Sequence, residues 1–469
     1  MVQNKKTTEL IKIMELVKDW DPQTWWREYP PKILYKDRKI SARIVKAHLR
    51  DIFNDKTQKI GVYFHIPFCK SRCGFCKFNS EISHSGTIDN YLSLIDKELK
   101  LYGVNFKESL LDNLYIGGGT PSLLNEKQIS SLFKIAHHHF KIKSSTNILT
   151  EGTPDTSTLA KLKLFKELGV NRYTIGVQCF DDRVLKLSGR LHNVKDIYKA
   201  FSNVRRAGIR YINLDILLGL YGETKKTYSA TLQGILDLKP DCVSFMLFDY
   251  GRGVSSNYAV KANNSYFCKK SLRRNIFSYL GSVMEKAGYI IAEGFSDSTF
   301  VLRGQEDSIN RNLYNRNSLH SVLGVGRSAE SSFGRLKYFV ESSDKEYKNK
   351  LNAGKLPDFN GVNLSEDEYI RRYFIYNYIL FGKINKNEFV KKFGFPVDVI
   401  VKKKFTKLIK NNYFFDTGDS LIFANDINQI CNPRKLQSAN YGNKEYKFLR
   451  SVKYFYSPKV VSELKKLIF

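Results

Sequence analysis

Residues 61–76 read GVYFHIPFCKSRCGFC, an apolar run suited to a buried strand followed at once by three of the chain's seven cysteines. One loop leaving one strand therefore carries three thiols at C-x3-C-x2-C spacing. Zinc is one candidate, with Cys69, Cys73, Cys76 and His65 as a closed ligand set. The spacing speaks against it, because structural zinc sites draw ligand pairs from two separated hairpins and no later C-x2-C completes the set. An iron–sulfur cubane held by three thiolates of a single loop instead leaves one iron open to a small molecule.

Further apolar runs follow at NLYIGG (113–118), TNILTEG (146–152), RYTIGVQ (172–178), YINLDILLGL (211–220) and CVSFMLFDY (242–250). Between them lie stretches of helical spacing such as NYLSLIDKELKLYG, KQISSLFKIAHHHF and VKDIYKAFSNVRRAGI. Strands apolar on both faces that alternate with helices predict an α/β fold with a parallel, helix-covered sheet. Polar residues fall at the downstream ends of these strands: the cysteines, then GGGTP, Glu151, Gln178, Asp215, and Asp249 with Tyr250. Active-site groups of β/α barrels gather at that end, so an open, partial (β/α)6 TIM-like barrel over 56–285 is expected.

Around it, residues 1–55 read as a helical and extended prelude containing DWDPQTWWREYPP, and 286–360 as an extension of the barrel edge with the glycine-rich piece LGVGRSAESSFG. Residues 361–430 order as three helices and a hairpin turning at DTGD, a winged-helix-like α+β domain; 431–469 end in an amphipathic helix, SPKVVSELKKLIF.

Lys and Arg number 76 against 46 Asp and Glu, a formal charge of +30 that favours acidic partners. The basic residues are spread along the chain, so nucleic acid is not the expected partner, VKKKFTKLIK (401–410) notwithstanding. The N-terminus lacks a secretory pattern, no apolar run is long enough for a bilayer, and an odd, bunched set of cysteines is not a disulfide framework. A reducing cytoplasm is the expected compartment, without membrane attachment.

Cys69, Cys73 and Cys76, with Phe75 before the last, resemble the CxxxCxφC signature of radical S-adenosylmethionine (radical SAM) enzymes. More narrowly, YFHIPFCKSRCGFCKF, LYIGGGTPSLL, IGVQCFDDRVLKLSGRLH and NLDILLGLYGET resemble the oxygen-independent coproporphyrinogen III oxidase family. The resemblance implies a 4Fe-4S cluster on the three cysteines, with the SAM amino and carboxylate groups on the open iron. It places Tyr63 beside the cluster, the loop of Gly118, Gly119 and Thr120 against the methionine amino group, and Glu151, Gln178, Arg190 and Asp215 around SAM. Gln178 would suit a second SAM. Glycines 117–119 remove side chains where the backbone must approach a ligand's polar head, and the strand-end backbone is expected to be left free to hydrogen-bond it. Carboxylates can accept from ribose hydroxyls, and Arg190 can hold a carboxylate bidentately.

The implied chemistry is reductive cleavage of SAM, fed by a flavodoxin- or ferredoxin-like donor, to a 5′-deoxyadenosyl radical acting on a tetrapyrrole, heme or coproporphyrinogen, whose anionic propionates suit the positive charge. Phe78 stands where the oxidases commonly carry a further cysteine. INRNLYNRNS and GFSDSTF look more like the anaerobic heme-degrading methyltransferases than the HNxxYW-like signature of heme chaperones, and LYGET replaces LPGQT. The leading expectation is accordingly a heme-degrading methyltransferase, then a coproporphyrinogen III oxidase, then a heme chaperone without turnover. His137, His138 and His139 point apart on a helix and make a poor metal face. Cys179, Cys242 and Cys268 read as packing residues, Cys179 within reach of the barrel mouth, and Cys431 has no partner nearby in sequence.

Overall fold

The computed structural model describes residues 35–56, 58–84, 86–248, 258, 279–291, 299–305, 321–381, 383–404 and 414–423. Its centre is six parallel strands in chain order, each paired with the next: β1 (Ile60–Ile66), β2 (Leu111–Gly118), β3 (Asn147–Gly152), β4 (Arg172–Gln178), β5 (Tyr211–Leu218) and β6 (Cys242–Leu247). Every residue of β1 is buried, as a strand covered on both faces must be. The helices are α1 (Ala42–Asn54), α2 (Thr87–Tyr102), α3 (Glu126–His139), α4 (Leu159–Glu167), α5 (Asp182–Leu187), α6 (Val194–Arg206) and α7 (Lys225–Leu238). Three start in reciprocal capping boxes, Asn125 with Gln128, Asn193 with Asp196 and Thr224 with Thr227, which fix where each strand-to-helix loop ends. Along the chain α2 packs on α3, α3 on α4 and α4 on α6, so the helices follow the strands around one side of the sheet.

The sheet stays open, and both edges are extended. β7 (Tyr289–Ile291) and β8 (Thr299–Leu302) add antiparallel beyond β6. β9 (Ser321–Val325) returns to pair parallel with β1, and β10 (Glu330–Phe333), β11 (Leu336–Val340), β12 (Phe359–Asn363) and Lys39–Ile40 continue outward antiparallel. Among the described residues this makes one thirteen-stranded sheet. The fold is thus the expected α/β partial barrel, with two differences in extent. β5 stops at Leu218 because Gly219 turns with φ +94° and its N–H donates to Glu223 (2.7 Å), and Lys39–Ile40 of the expected prelude joins the sheet as a strand.

α8 (Asp344–Asn352) leads to β12, and the chain then builds α9 (Glu366–Phe381), β13 (Lys383–Asn385), α10 (Lys386–Phe393), α11 (Val397–Lys404) and the hairpin β14 (Phe414–Asp416)–β15 (Ser420–Phe423). The hairpin closes at Thr417–Ser420 with Gly418 at φ +88°, and β13 pairs with β15. The winged-helix order is present, with a short strand that the sequence reading did not include. DWDPQTWWREYPP, Asp249, Tyr250, Cys268, INRNLYNRNS, most of GFSDSTF, Cys431 and the terminal helix lie outside the described residues.

Beneath the β9–β10 turn Glu98 is fully buried on α2. It accepts from Tyr102 Oη (2.9 Å), Tyr347 Oη (2.7 Å) and the Gly326 amide (2.9 Å), yet burial raises its pKa to about 7. A carboxyl whose pKa rises on folding stabilises most below its unfolded value and loses that contribution as pH rises to about 7. Glu98→Gln should therefore match the wild type in urea unfolding at pH 5 and be at least as stable at pH 8. Glu98→Leu, which orphans two hydroxyls and an amide, should lose about 3 kcal/mol at pH 5 and less at pH 8, where the wild type has given up the carboxyl's contribution.

Candidate active site

The cysteine loop leaves β1 through a short strand, Phe68–Cys69, zipped in parallel to Glu81–Ile82. The Glu81 amide donates to Pro67 O (2.8 Å), Ser83 N to Cys69 O (3.1 Å) and Cys76 N to Cys73 O (3.2 Å), so the loop closes on itself. All three cysteines are half-buried. Each sulfur receives a hydrogen bond from the protein: Thr120 Oγ1 donates to Cys69 Sγ (3.5 Å), Arg190 Nη1 to Cys73 Sγ (3.4 Å) and the Phe78 amide to Cys76. Burial pushes the Cys76 thiol up; the Phe78 amide opposes this, the nearby Cys73 and Cys69 thiolates add to it, and Arg72 counters them. Three thiols that feel one another's charge, with donors already aimed at their sulfurs, are a donor set suited to a cationic iron–sulfur centre.

His65 is not available as a fourth ligand. Its Nε2 lies 3.2 Å from the Asn79 carbonyl, which can only accept, so Nε2 carries the proton and Nδ1 accepts from Tyr63 Oη (2.8 Å). Tyr63 is buried, its ring 5.1 Å from that of Tyr115. The adjacent histidines do not form a cluster either: His139 pairs with Asp96 (2.7 Å), and no group of three metal-ligating side chains around a single ion occurs among the described residues.

The glycine loop differs from expectation in an informative way. Gly118 N donates to Glu151 Oε1 (2.9 Å), Gly119 N to Ile66 O (2.8 Å) and Thr120 N to Phe68 O (2.8 Å), so these amides serve the protein's own backbone and Glu151. A Cβ at Gly119 would lie 2.5 Å from Phe68 O, and one at Gly118, where φ is +120°, 2.9 Å from the His65 ring. A Cβ at Gly117 would meet the Tyr115 ring at 2.7 Å. The missing side chains admit the start of the cysteine loop.

At the same level of the sheet, Glu151, Gly176, Asp215 and Ser244 are half-exposed on β3 to β6, between buried neighbours. Glu151 also accepts from Tyr115 Oη (2.6 Å), and a polar chain continues from Ser244 through Asn213 to Asp215 (3.1 and 2.7 Å). Burial, and secondarily the Glu151 charge, raise the Asp215 pKa to about 7 against the Asn213 amide and Arg172. Gln178 ends β4 at a register shift with φ +74°, strain of the kind found at functional sites. Arg190 Nη2 donates to Gly176 O (2.6 Å) while Nη1 reaches Cys73, so one guanidinium joins strand end and cysteine loop.

Other parts of the site carry no motif. Tyr258 covers the loop: its ring lies where a Cβ on Gly74 would be, 2.5 Å away, and 6.4 Å from Phe75, while its hydroxyl bonds Ser188 Oγ (2.8 Å) and accepts from Tyr221 N (3.2 Å). Asn79 Nδ2 donates to Ser328 Oγ (2.6 Å), and Arg327 pairs with Glu81 (3.2 Å). Cys179, expected near the mouth, is fully buried, and burial drives its thiol far up. Cys242 is buried also, its thiol raised to about 11 for the same reason.

Residues 63–234 match the radical SAM superfamily. The chain contains a radical SAM domain. Heme chaperone HemW of Bacillus subtilis is 28% identical over 338 residues, covering 72% of this chain and 87% of that protein. The oxygen-independent coproporphyrinogen III oxidase of Escherichia coli is 26% identical over 336 residues, 70% of this chain and 73% of the other. The solved structure of coproporphyrinogen III oxidase (HemN) from Escherichia coli matches with a TM-score of 0.72 at 20% identity, over 85% of this chain and 93% of that one, which shows the shared fold. A radical SAM domain works with a 4Fe-4S cluster and SAM.

In such a domain the tightest packing should be the most costly to disturb. Gly119→Ala forces the Phe68–Cys69 strand aside and is expected to lower the iron retained after anaerobic reconstitution severalfold. Gly281→Ala, whose methyl meets open space, should retain wild-type iron in the same assay.

Proposed function

We propose that Cys69, Cys73 and Cys76 hold the cluster and that SAM lies in the mouth formed by Gly118, Gly119, Thr120, Glu151, Gln178, Arg190 and Asp215. The observation that carries this reading is the three-sulfur loop in which every sulfur already accepts a hydrogen bond from Thr120, Arg190 or Phe78. When bound, the cluster and SAM supply one-electron reductive cleavage of SAM. This chain's own residues position and shield. The Glu151 and Asp215 carboxylates offer acceptors, Gln178 an amide, and Tyr63 with Tyr115 and Phe75 a wall against water.

The partner we propose is a tetrapyrrole, with heme binding first and coproporphyrinogen oxidation second. Two features favour heme: the match spans 87% of the Bacillus subtilis heme chaperone against 73% of the Escherichia coli oxidase, and Phe78 stands where a further oxidase cysteine was expected. Neither of these relatives is a heme-degrading methyltransferase, so that expectation gives way as the leading one. The electron donor we propose is a flavodoxin- or ferredoxin-like protein.

The deciding experiment is anaerobic incubation of reconstituted protein with SAM, reductant and either heme or coproporphyrinogen III, followed by mass spectrometry and absorption spectra. Heme that stays intact and bound, beside unchanged coproporphyrinogen, is the expected result. Loss of carboxyl groups from coproporphyrinogen would establish the second reading, and a methylated, opened ring would restore the methyltransferase. Neither binding nor turnover of either compound would sink the tetrapyrrole assignment.

A further inference from the structure

The cysteine loop and the end of β4 meet at the segment 188–192. Ser188 O accepts from Gly74 N (3.1 Å), and Arg190 Nη1 donates to Cys73 Sγ (3.4 Å). On the other side, Arg190 Nη2 donates to Gly176 O (2.6 Å) and His192 Nε2 to Val177 O (3.3 Å), so two consecutive carbonyls of β4 are taken by two side chains of one loop. These carbonyls sit at the register shift: Gly176 opposes Asp215 and Gln178 opposes Ile216, which leaves Val177 without a counterpart in the register. The next residue is Gln178, at φ +74°. Its Nε2 and Arg190 Nη2 lie 3.2 and 3.6 Å from where a Cβ on Gly176 would stand, so amide and guanidinium meet over the bare strand.

His192 carries none of the chemistry assigned to the mouth, and as a packing residue it is ill suited. It is buried, and its carbonyl partner fixes the proton on Nε2, so Nδ1 is a buried acceptor with no hydrogen-bond partner. An apolar side chain of that size would avoid the penalty. Burial, and then the Arg190 charge, bring its pKa down to about 4 against the Val177 carbonyl, Asp155 and Asp196, so the ring is neutral at physiological pH. What the ring does supply is a donor to Val177 O, the oxygen of the peptide that leads into Gln178. Resting on the reading that SAM lies in the mouth, we propose that His192 is a positioning residue for it: by fixing the Val177–Gln178 peptide, it holds the Gln178 amide in its strained conformation toward the ligand. Arg190 fixes the preceding peptide and ties it to Cys73, whereas His192 acts on Gln178 alone.

The test is calorimetric titration of SAM into anaerobically reconstituted protein, with iron content and thermal unfolding measured alongside. His192→Gln places an amide donor where Nε2 stands; His192→Asn is too short to reach Val177 O, and His192→Leu keeps the volume without the donor. The Asn and Leu variants should retain wild-type iron and bind SAM about tenfold more weakly, as loss of one buried hydrogen bond dictates, while the Gln variant should recover to within about twofold. In a Gln178→Ala background, His192→Leu should weaken SAM binding no further, because the side chain it positions is gone. Equal affinity of the Gln and Leu variants, an undiminished loss in the Gln178→Ala background, or iron lost from the Asn and Leu variants alike would each overturn the positioning role alone. A wild type that retains iron but binds no SAM, or a Gln178→Ala variant that binds it like the wild type, would overturn the placement of SAM at Gln178 and this inference with it.

Discussion

The site depends on a contact between two pieces of backbone. Gly119 N–H to Ile66 O and Thr120 N–H to Phe68 O tie the end of β2 to the segment that enters the cysteine loop, at a separation that leaves no room for a Cβ. From that clamp the rest follows in short steps. It aims the Thr120 hydroxyl at Cys69 and presents the Gly118 amide to Glu151. It also places the loop where Arg190, anchored on Gly176 O, can reach Cys73. Side-chain contacts alone would leave each of these free to drift by a rotamer; a backbone clamp holds them together.

The mouth above the clamp is arranged with the opposite economy. Its carboxylates are close enough to feel each other, and withdrawal from water plus that repulsion leaves Asp215 near half-protonated at neutral pH, at about 7. Glu151 already receives an amide and a phenol, whereas Asp215 has the Asn213 amide and the more distant Arg172 charge. A cationic or hydroxyl-bearing ligand set against Asp215 favours its carboxylate, so taking up such a group and releasing a proton are linked. The strained Gln178 and the side-chain-free Gly176 lie at the same rim, where its amide and the Arg190 guanidinium converge.

What could be read from the sequence was whatever local pattern determines. The six strands were visible because each is a short run apolar on both faces, and the cysteines, Glu151, Gln178 and Asp215 because they punctuate those runs, whereas Arg190 was singled out only by the family resemblance. At the glycine loop, spacing shows that a close approach occurs and not what approaches; the structure adds the Ile66 and Phe68 carbonyls as partners of its amides. Tyr258, Asn79, Arg327 and Glu98 were missed for another reason. Each works through a contact far away along the chain, Tyr258 with Gly74, Asn79 with Ser328, Arg327 with Glu81 and Glu98 with Gly326 and Tyr347, and none sits in a periodic or spaced pattern that would mark it. The pairing of β9 with β1 was hidden likewise, because a parallel neighbour from the far end of the domain leaves no trace in local composition.

That late strand explains why the sheet extends past six units at this edge. A bare six-strand barrel holds the cysteine loop at its beginning, through β2, and at its middle, through Ser188–Arg190, and reaches residues 79–82 through His65 Nε2 on the Asn79 carbonyl (3.2 Å). The turn between β9 and β10 adds further support there: Ser328 takes the Asn79 amide, and Arg327 takes Glu81, next to the strand pair that carries Cys69. The turn is itself under tension, with Ser328 at φ +65°, a conformation a serine adopts only where its surroundings over-determine it. Those surroundings are the buried Glu98, which grips the Gly326 amide, and Tyr91, whose hydroxyl accepts from Arg327 N and donates to His65 O. The same tyrosine thus touches both β1 and the turn, so the edge strands and the cysteine loop are set by one buried polar cluster rather than by two independent halves of the fold.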